Sequence, residues 1–100
     1  MAAYVDSMAI KWRGNTWCHL VADSLKELHE TARQLGLRRE WFQAAASYPH
    51  YDLTTQTRAR AIMLGVLIGD RRQIIRCARA LKDELASVPK PPTQLDLFLS

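Results

Sequence analysis

The sequence predicts a small α/β domain with an extended C-terminal tail, and three observations carry that expectation. Short apolar runs alternate with amphipathic helical patterns in the order strand, helix, short strand, helix, strand, helix. Capping residues and glycines fall where these segments should begin and end. After Ser87 the run Pro89-Lys90-Pro91-Pro92 resists both helix and sheet, because proline lacks the N–H and fixes φ. One hundred residues leave room for one core. Residues 1–87 are therefore expected to form one two-layer or three-layer domain, with about three helices on a short, mostly parallel sheet, since parallel strands need helical crossovers. Residues 88–100 are expected as a linker and C-terminal peptide.

Ala3-Tyr4-Val5-Asp6 reads as a short buried strand ending on a carboxylate. Lys11 to Asn15 supplies a turn, with Gly14-Asn15 as its breaker pair. Trp17 to Asp23 follows as an extended or irregular approach to the first helix. There Ser24 and Glu27 have capping-box spacing, Leu25, Leu28, Ala32 and Leu35 form one apolar stripe, and Gly36 sits where a left-handed C-terminal cap belongs. Arg39 to Gln43 fits either a short strand or one helical turn. Ser47-Tyr48-Pro49 breaks what precedes it, and Thr54 or Thr55 suits the N-cap of a second helix running to Gly65. Val66-Leu67-Ile68-Gly69 reads as a buried strand. Asp70 and Gln73 repeat the capping pair for a third helix, whose apolar face is Ile74, Cys77, Ala78, Leu81 and Leu85 and which ends near Ser87.

With 48% hydrophobic and 24% charged residues, the composition is that of a globular protein and excludes a disordered or fibrous one. No apolar run reaches bilayer length and Met1-Ala2-Ala3-Tyr4 lacks a leader pattern, so a cytoplasmic protein without membrane contact is expected. Cys18 and Cys77 have no Cys-x-x-Cys spacing and are expected as reduced, buried thiols. Neither Gly-x-Gly-x-x-Gly nor a phosphate-binding loop is present, which excludes dinucleotide and ATP sites of those types. The net charge is +4, and ten of fourteen basic residues are arginine, the side chain suited to phosphate forks. Arg72, Arg76 and Arg79 share one helix face, flanked by Arg71 and Lys82, and suit either a solvated surface or weak, sequence-independent DNA binding.

Polar residues gather in three short stretches: Asp6, then His19 with Asp23, then His50 with Asp52. A spacing of four puts His19 and Asp23 on one side, and His50 and Asp52 share a side if extended. In an open parallel sheet, Asp6, His19, Asp23, His50 and Asp52 would meet outside the carboxyl ends of the strands. Such a cluster of imidazoles and carboxylates would hold a divalent metal or perform general acid–base catalysis. Structural roles fit the same residues: Asp23 and Asp52 as helix caps, His19 and His50 as hydrogen-bond partners at a polar edge of the core. His29, near the apolar stripe of the first helix, fits a structural boundary position.

The end of the chain, Gln94-Leu95-Asp96-Leu97-Phe98, resembles the peptide with which bacterial replication and repair proteins dock on the sliding clamp, the beta subunit of DNA polymerase III. All five positions match. The resemblance implies that Leu97 and Phe98 fill an apolar pocket, Leu95 covers its lip and the Gln94 amide fixes the register. The residues themselves also permit folding back onto the body as an edge strand. In the body, Tyr4-Val5-Asp6, Trp17-Cys18-His19-Leu20-Val21-Ala22-Asp23, Leu28-His29, Leu35-Gly36-Leu37-Arg38-Arg39 with Trp41-Phe42-Gln43, and Pro49-His50-Tyr51-Asp52-Leu53 resemble the bacterial and phage domain-of-unknown-function family 4031. That resemblance spans about residues 4–69 and names no reaction. The expected function is thus a clamp-binding adaptor or inhibitor at the bacterial replication machinery, of phage or prophage origin, because the tail is explained residue by residue. The alternative is a clamp-delivered, metal-dependent nuclease or phosphohydrolase using the His/Asp cluster.

Overall fold

The structure is a computed structural model that describes residues 2–87; Met1 and residues 88–100, with the clamp-like pentapeptide, lie outside the described residues. In chain order the elements are β1 (Ala3–Val5), β2 (Ile10–Trp12), β3 (Asn15–Ala22), α1 (Leu25–Gln34), a 3-10 turn (Arg39–Trp41), β4 (Tyr51–Thr54), α2 (Thr55–Met63), β5 (Leu67–Ile68) and α3 (Arg71–Ser87). The class is α/β, but the sheet is mixed rather than mostly parallel. β3 pairs antiparallel with β1, β2 and β4, and β1 pairs parallel with β5.

The difference starts at a hairpin. Trp12 pairs with Asn15, and the two residues between them, Arg13 and Gly14, have φ of 49° and 77°. A two-residue loop with both central residues left-handed matches the twist of paired strands, so the chain turns straight back. The segment expected as a turn and an extended or irregular approach therefore forms the β2–β3 hairpin, its extended alternative being the one realised, and the eight-residue β3 becomes the spine of the sheet. Leu20 pairs with Val5 on one edge and with Tyr51 on the other. Strands β1 and β2 thus lie end to end along one edge of β3, with β4 along the opposite edge.

Strand alternation divides the sheet into two faces. Cys18, Leu20, Val5, Tyr51 and Leu53 share one face, and all are buried. Helices α1 and α2 cover it: His29 of α1 lies 2.9 Å from the Tyr51 hydroxyl, and Arg60 of α2 donates to the Leu35 carbonyl at 3.2 Å. The opposite face carries Tyr4, Val21, His19, Trp17, Asp52 and Thr54. There α3 packs over Tyr4, and at Gly69 a Cβ would lie 2.9 Å from Ile74 Cδ1 and 3.1 Å from Tyr4 Cβ. The missing side chain lets α3 start directly against β1. The far end of α3 meets the start of α1, where Glu84 accepts the Leu25 N–H at 2.6 Å. Val21, beneath α3, is fully buried, whereas Trp17 and His19 further along β3 remain partly open.

Helix boundaries follow the capping residues. Ser24 accepts the Glu27 N–H, Thr54 accepts the Thr57 N–H, and Asp70 and Gln73 each accept the other's backbone N–H. Gly36 closes α1 with φ of 77°. Strand β5, expected to be buried, is instead an edge pair of residues, with Leu67 and Ile68 52% and 55% exposed, because it pairs only with β1. Both cysteines are free and buried. Among the described residues, no helix is long and apolar enough to cross a membrane.

Candidate metal centre

Strand register assembles the polar cluster. His19 on β3 stands opposite Asp52 on β4, on the face that α3 leaves open. Asp6 follows the last residue of β1 and donates its backbone N–H to the His19 carbonyl at 3.1 Å, which sets it beside the imidazole. His50 enters just before β4, held by a bridge in which Gln43 N–H donates to the His50 carbonyl at 3.0 Å and His50 N–H donates back at 3.3 Å. The imidazoles of His19 and His50 are perpendicular, with centroids 4.7 Å apart.

Three ligand atoms converge. His50 Nε2 lies 3.2 Å and His19 Nε2 3.9 Å from Asp52 Oδ1, and the ligand atoms of the trio all lie within 4.8 Å of one another. Bonds of 2.0–2.1 Å to one tetrahedral ion imply ligand separations of about 3.3 Å, so modest closure of this trio encloses an ion. The outward ring nitrogens are also committed. His19 Nδ1 lies 2.6 Å from Asp6 Oδ2, and His50 Nδ1 lies 2.7 Å from the Tyr48 carbonyl. A carbonyl only accepts, so the His50 Nδ1 carries its proton and the Nε2 lone pair faces Asp52 in the neutral ring. The Asp6 carboxylate favours the same tautomer in His19. The second Asp52 oxygen accepts from the Gln43 side-chain amide. Each of the three ligands thus has an outer partner, the arrangement that orients metal-binding imidazoles and raises their basicity.

Electrostatics agree with this arrangement. Burial alone would raise the Asp6 carboxyl, but hydrogen bonds from the His19 ring and backbone, its charge, and the Met8 N–H together hold it below its ordinary value. The hydrogen bond to Asp6 raises His19 above its ordinary value, against the effect of burial, with the Asp6 and Asp52 charges adding to the rise. Without an ion, His19 therefore keeps a second proton, on the nitrogen that faces Asp52, to a higher pH than a free imidazole does. Cys18, on the opposite sheet face, is pushed by burial up to about 11 and offers no thiolate.

Four of the five expected residues, Asp6, His19, His50 and Asp52, come together; Asp23 does not. Four residues along an extended strand place it roughly 13 Å from His19. Its carboxylate accepts the Ala2 N–H at 2.8 Å, at the opposite end of β1 from Asp6. The antiparallel β1–β3 pairing explains both outcomes, since it sets Asp6 against His19 and Ala2 against Asp23. Asp52 lies within β4 and Thr54 caps α2, so Asp52 is no helix cap. His29 takes a structural position, between the Tyr51 hydroxyl and the Phe42 ring.

Gln43 and Tyr48 were not anticipated from the sequence. Gln43 reaches Asp52 through the bridge to His50, a pairing across a loop, and Tyr48 contributes a backbone carbonyl. The sequence signal was Tyr48-Pro49, because the residue before a proline is held extended. Arg72, Arg76 and Arg79 are exposed on α3 and, with Arg71 and Ile75, line an open trough of about 570 Å³. A second cleft, of about 480 Å³, shares Arg71 and Ile75 with this trough and reaches Asp6 and Tyr48. Gln94, Leu95, Asp96, Leu97 and Phe98 lie outside the described residues.

The described domain is thus a small mixed α/β fold with a two-histidine, one-carboxylate cluster on the open face of its sheet. Residues 3–81 match the profile of the family described as "Protein of unknown function (DUF4031)", and the chain belongs to that family. The match includes all of the cluster and extends the sequence resemblance into α3. Neither the curated proteins nor the solved structures yield a match.

Proposed function

We propose that this protein is a divalent-metal-dependent phosphoester hydrolase acting on nucleic acid, brought to its substrate by a C-terminal peptide that docks on the sliding clamp. The observation that carries the hydrolase is the convergence of His19 Nε2, His50 Nε2 and Asp52 Oδ1, each backed by its own outer partner. Two imidazoles and one carboxylate suit zinc, manganese, iron or cobalt better than magnesium, which prefers oxygen ligands. Three protein ligands would leave a coordination position for water or a phosphoryl oxygen, and an ion held there would polarise that oxygen and lower the pKa of the water. Nucleic acid is supported by four exposed α3 arginines, 71, 72, 76 and 79, which form no ion pair among the described residues.

Docking rests on the match of Gln94-Leu95-Asp96-Leu97-Phe98 to the clamp-binding peptide, behind a proline-rich spacer. Burying Leu97 and Phe98 is favourable, while ordering the peptide offsets part of the gain, so a Kd on the order of 0.1–10 μM is expected. The test uses the full chain with zinc, manganese or cobalt, a labelled oligonucleotide and purified clamp. Cleavage that EDTA stops, together with clamp binding that Leu97→Ala and Phe98→Ala abolish without slowing cleavage, is the expected result. Clamp binding with no cleavage under any of the metals would leave an adaptor or inhibitor; absence of clamp binding would remove the docking role.

A further inference from the structure

Beside Asp52, on the side of the cluster away from the α3 arginines, lies a cleft of about 550 Å³ lined by Trp17, Leu37, Glu40, Trp41, Gln43, Asp52, Thr54 and Thr57. We infer that this cleft is a nucleobase pocket and that the substrate of the metal centre is single-stranded nucleic acid, with one unpaired base seated between Trp17 and Trp41. The inference rests on the hydrolase proposed above and adds to it the strand state of the substrate.

Three features support it. The cleft has the volume of a small-molecule site and shares Asp52 with the ligand trio, so its occupant lies beside the position where a phosphate would meet the ion. Its walls suit a flat ring. Trp17 is held in orientation by its indole N–H, which donates to the Trp12 carbonyl at 3.0 Å. Trp41 remains 52% exposed, and Arg38 lies over its ring. Finally, the polar side chains lining the cleft, Glu40, Gln43, Thr54 and Thr57, carry no positive charge: Gln43 donates to Asp52, Thr54 bonds Thr57 and Glu40 pairs with Arg38, and their remaining oxygen lone pairs suit the N–H groups of a base edge and not a phosphate. The exposed α3 arginines lie elsewhere, in the trough that adjoins the Asp6 cleft through Arg71, and Arg38, over the Trp41 ring, is paired with Glu40 at 3.5 Å. Phosphates on one side of the centre and a base on the other describe one strand crossing it. A base still paired in a duplex cannot enter such a cleft, whereas stacking on exposed aromatic rings is how unpaired bases are held.

The test is fluorescence anisotropy in EDTA, so that it depends neither on metal binding nor on turnover. The full chain is titrated into a labelled ten-residue oligothymidine, into an abasic oligomer of the same length, and into a duplex. Stacking on one aromatic ring predicts that oligothymidine binds about 10-fold more tightly than the abasic oligomer. The duplex is expected to bind no better than the abasic strand. Trp41→Ala should remove the preference for bases while leaving abasic binding unchanged, and Trp41→Phe should restore most of it. A folding defect would weaken both oligomers together, so the abasic strand serves as the internal reference. Equal affinity for abasic and thymidine oligomers, duplex binding as tight as single-strand binding, or a preference for thymidine that Trp41→Ala leaves undiminished would overturn the pocket. The metal centre would survive such a failure, because its own test is the titration of the ion.

Discussion

Asp52→Asn is expected to lower the affinity for zinc or cobalt by on the order of 100-fold or more, beyond the 10–100-fold typical of losing an outer partner. The substitution keeps the shape of the side chain and removes the charge that two imidazole nitrogens face at 3.2 and 3.9 Å. Asparagine can still accept from Gln43, so the β3–β4 pairing has no reason to change, and thermal unfolding of the ion-free protein should stay near that of wild type. His50→Ala should abolish binding as well, but His50 is only 6% exposed, and its loss would leave the Tyr48 carbonyl without its donor and also destabilise the fold. The contrast between the two variants separates ligation from folding. Titration with Co(II), followed by its visible absorption, measures it. Unchanged cobalt affinity in Asp52→Asn would mean that the trio is a hydrogen-bonded network and no metal centre.

The second expectation concerns pH. His19 is raised above its ordinary value of 6.5 by Asp6, so the stability that this contact contributes is fully present below pH 6.5 and is lost as pH rises through the higher folded value. Asp6 is lowered from 3.8, so its contribution is present above that pH and is lost as pH falls through the lower folded value. In the ion-free protein, the pair therefore stabilises most between about pH 4 and pH 6.5. An ion reverses the upper limb. It replaces the proton on His19 Nε2, so its affinity should rise with pH, approaching tenfold per unit while His19 is mostly protonated, and level off above the folded value. Asp6→Asn should flatten the loss of stability above pH 6.5, move the rise in metal affinity to lower pH, and weaken affinity at pH 8 by about 10–100-fold. Thermal melts across pH 4–9, with and without zinc, check both limbs. Identical pH profiles for wild type and Asp6→Asn would show that Asp6 does not control His19.

What the sequence made legible was local. The caps at Ser24, Thr54 and Asp70 and the left-handed Gly36 are set by residues three or fewer positions away, and α1, α2 and α3 begin, and α1 ends, where those signals lie. Strand direction was not legible, because pairing depends on partners far along the chain; the expected turn at Lys11–Asn15 closes tightly at Arg13-Gly14 and sends the chain back antiparallel, making a mixed sheet of the expected mostly parallel one. The candidate site survived that change for a reason of register. Asp6 was expected beside His19 at the end of a parallel sheet, and it arrives there through antiparallel pairing. Asp23 shows the limit of periodicity, which fixes the side a residue faces but not its distance. Gln43 and the Tyr48 carbonyl were hidden for a related reason, since one acts across a loop and the other through its backbone.

The measurement that bears most directly on the metal centre is anomalous scattering from crystals of the full chain grown with zinc. The account predicts one strong peak about 2.0–2.2 Å from His19 Nε2, His50 Nε2 and Asp52 Oδ1 together, with Asp6 still hydrogen-bonded to His19 Nδ1. A fully zinc-equilibrated crystal with no peak among these three atoms, and with His50 Nε2 still in direct contact with Asp52, would contradict it.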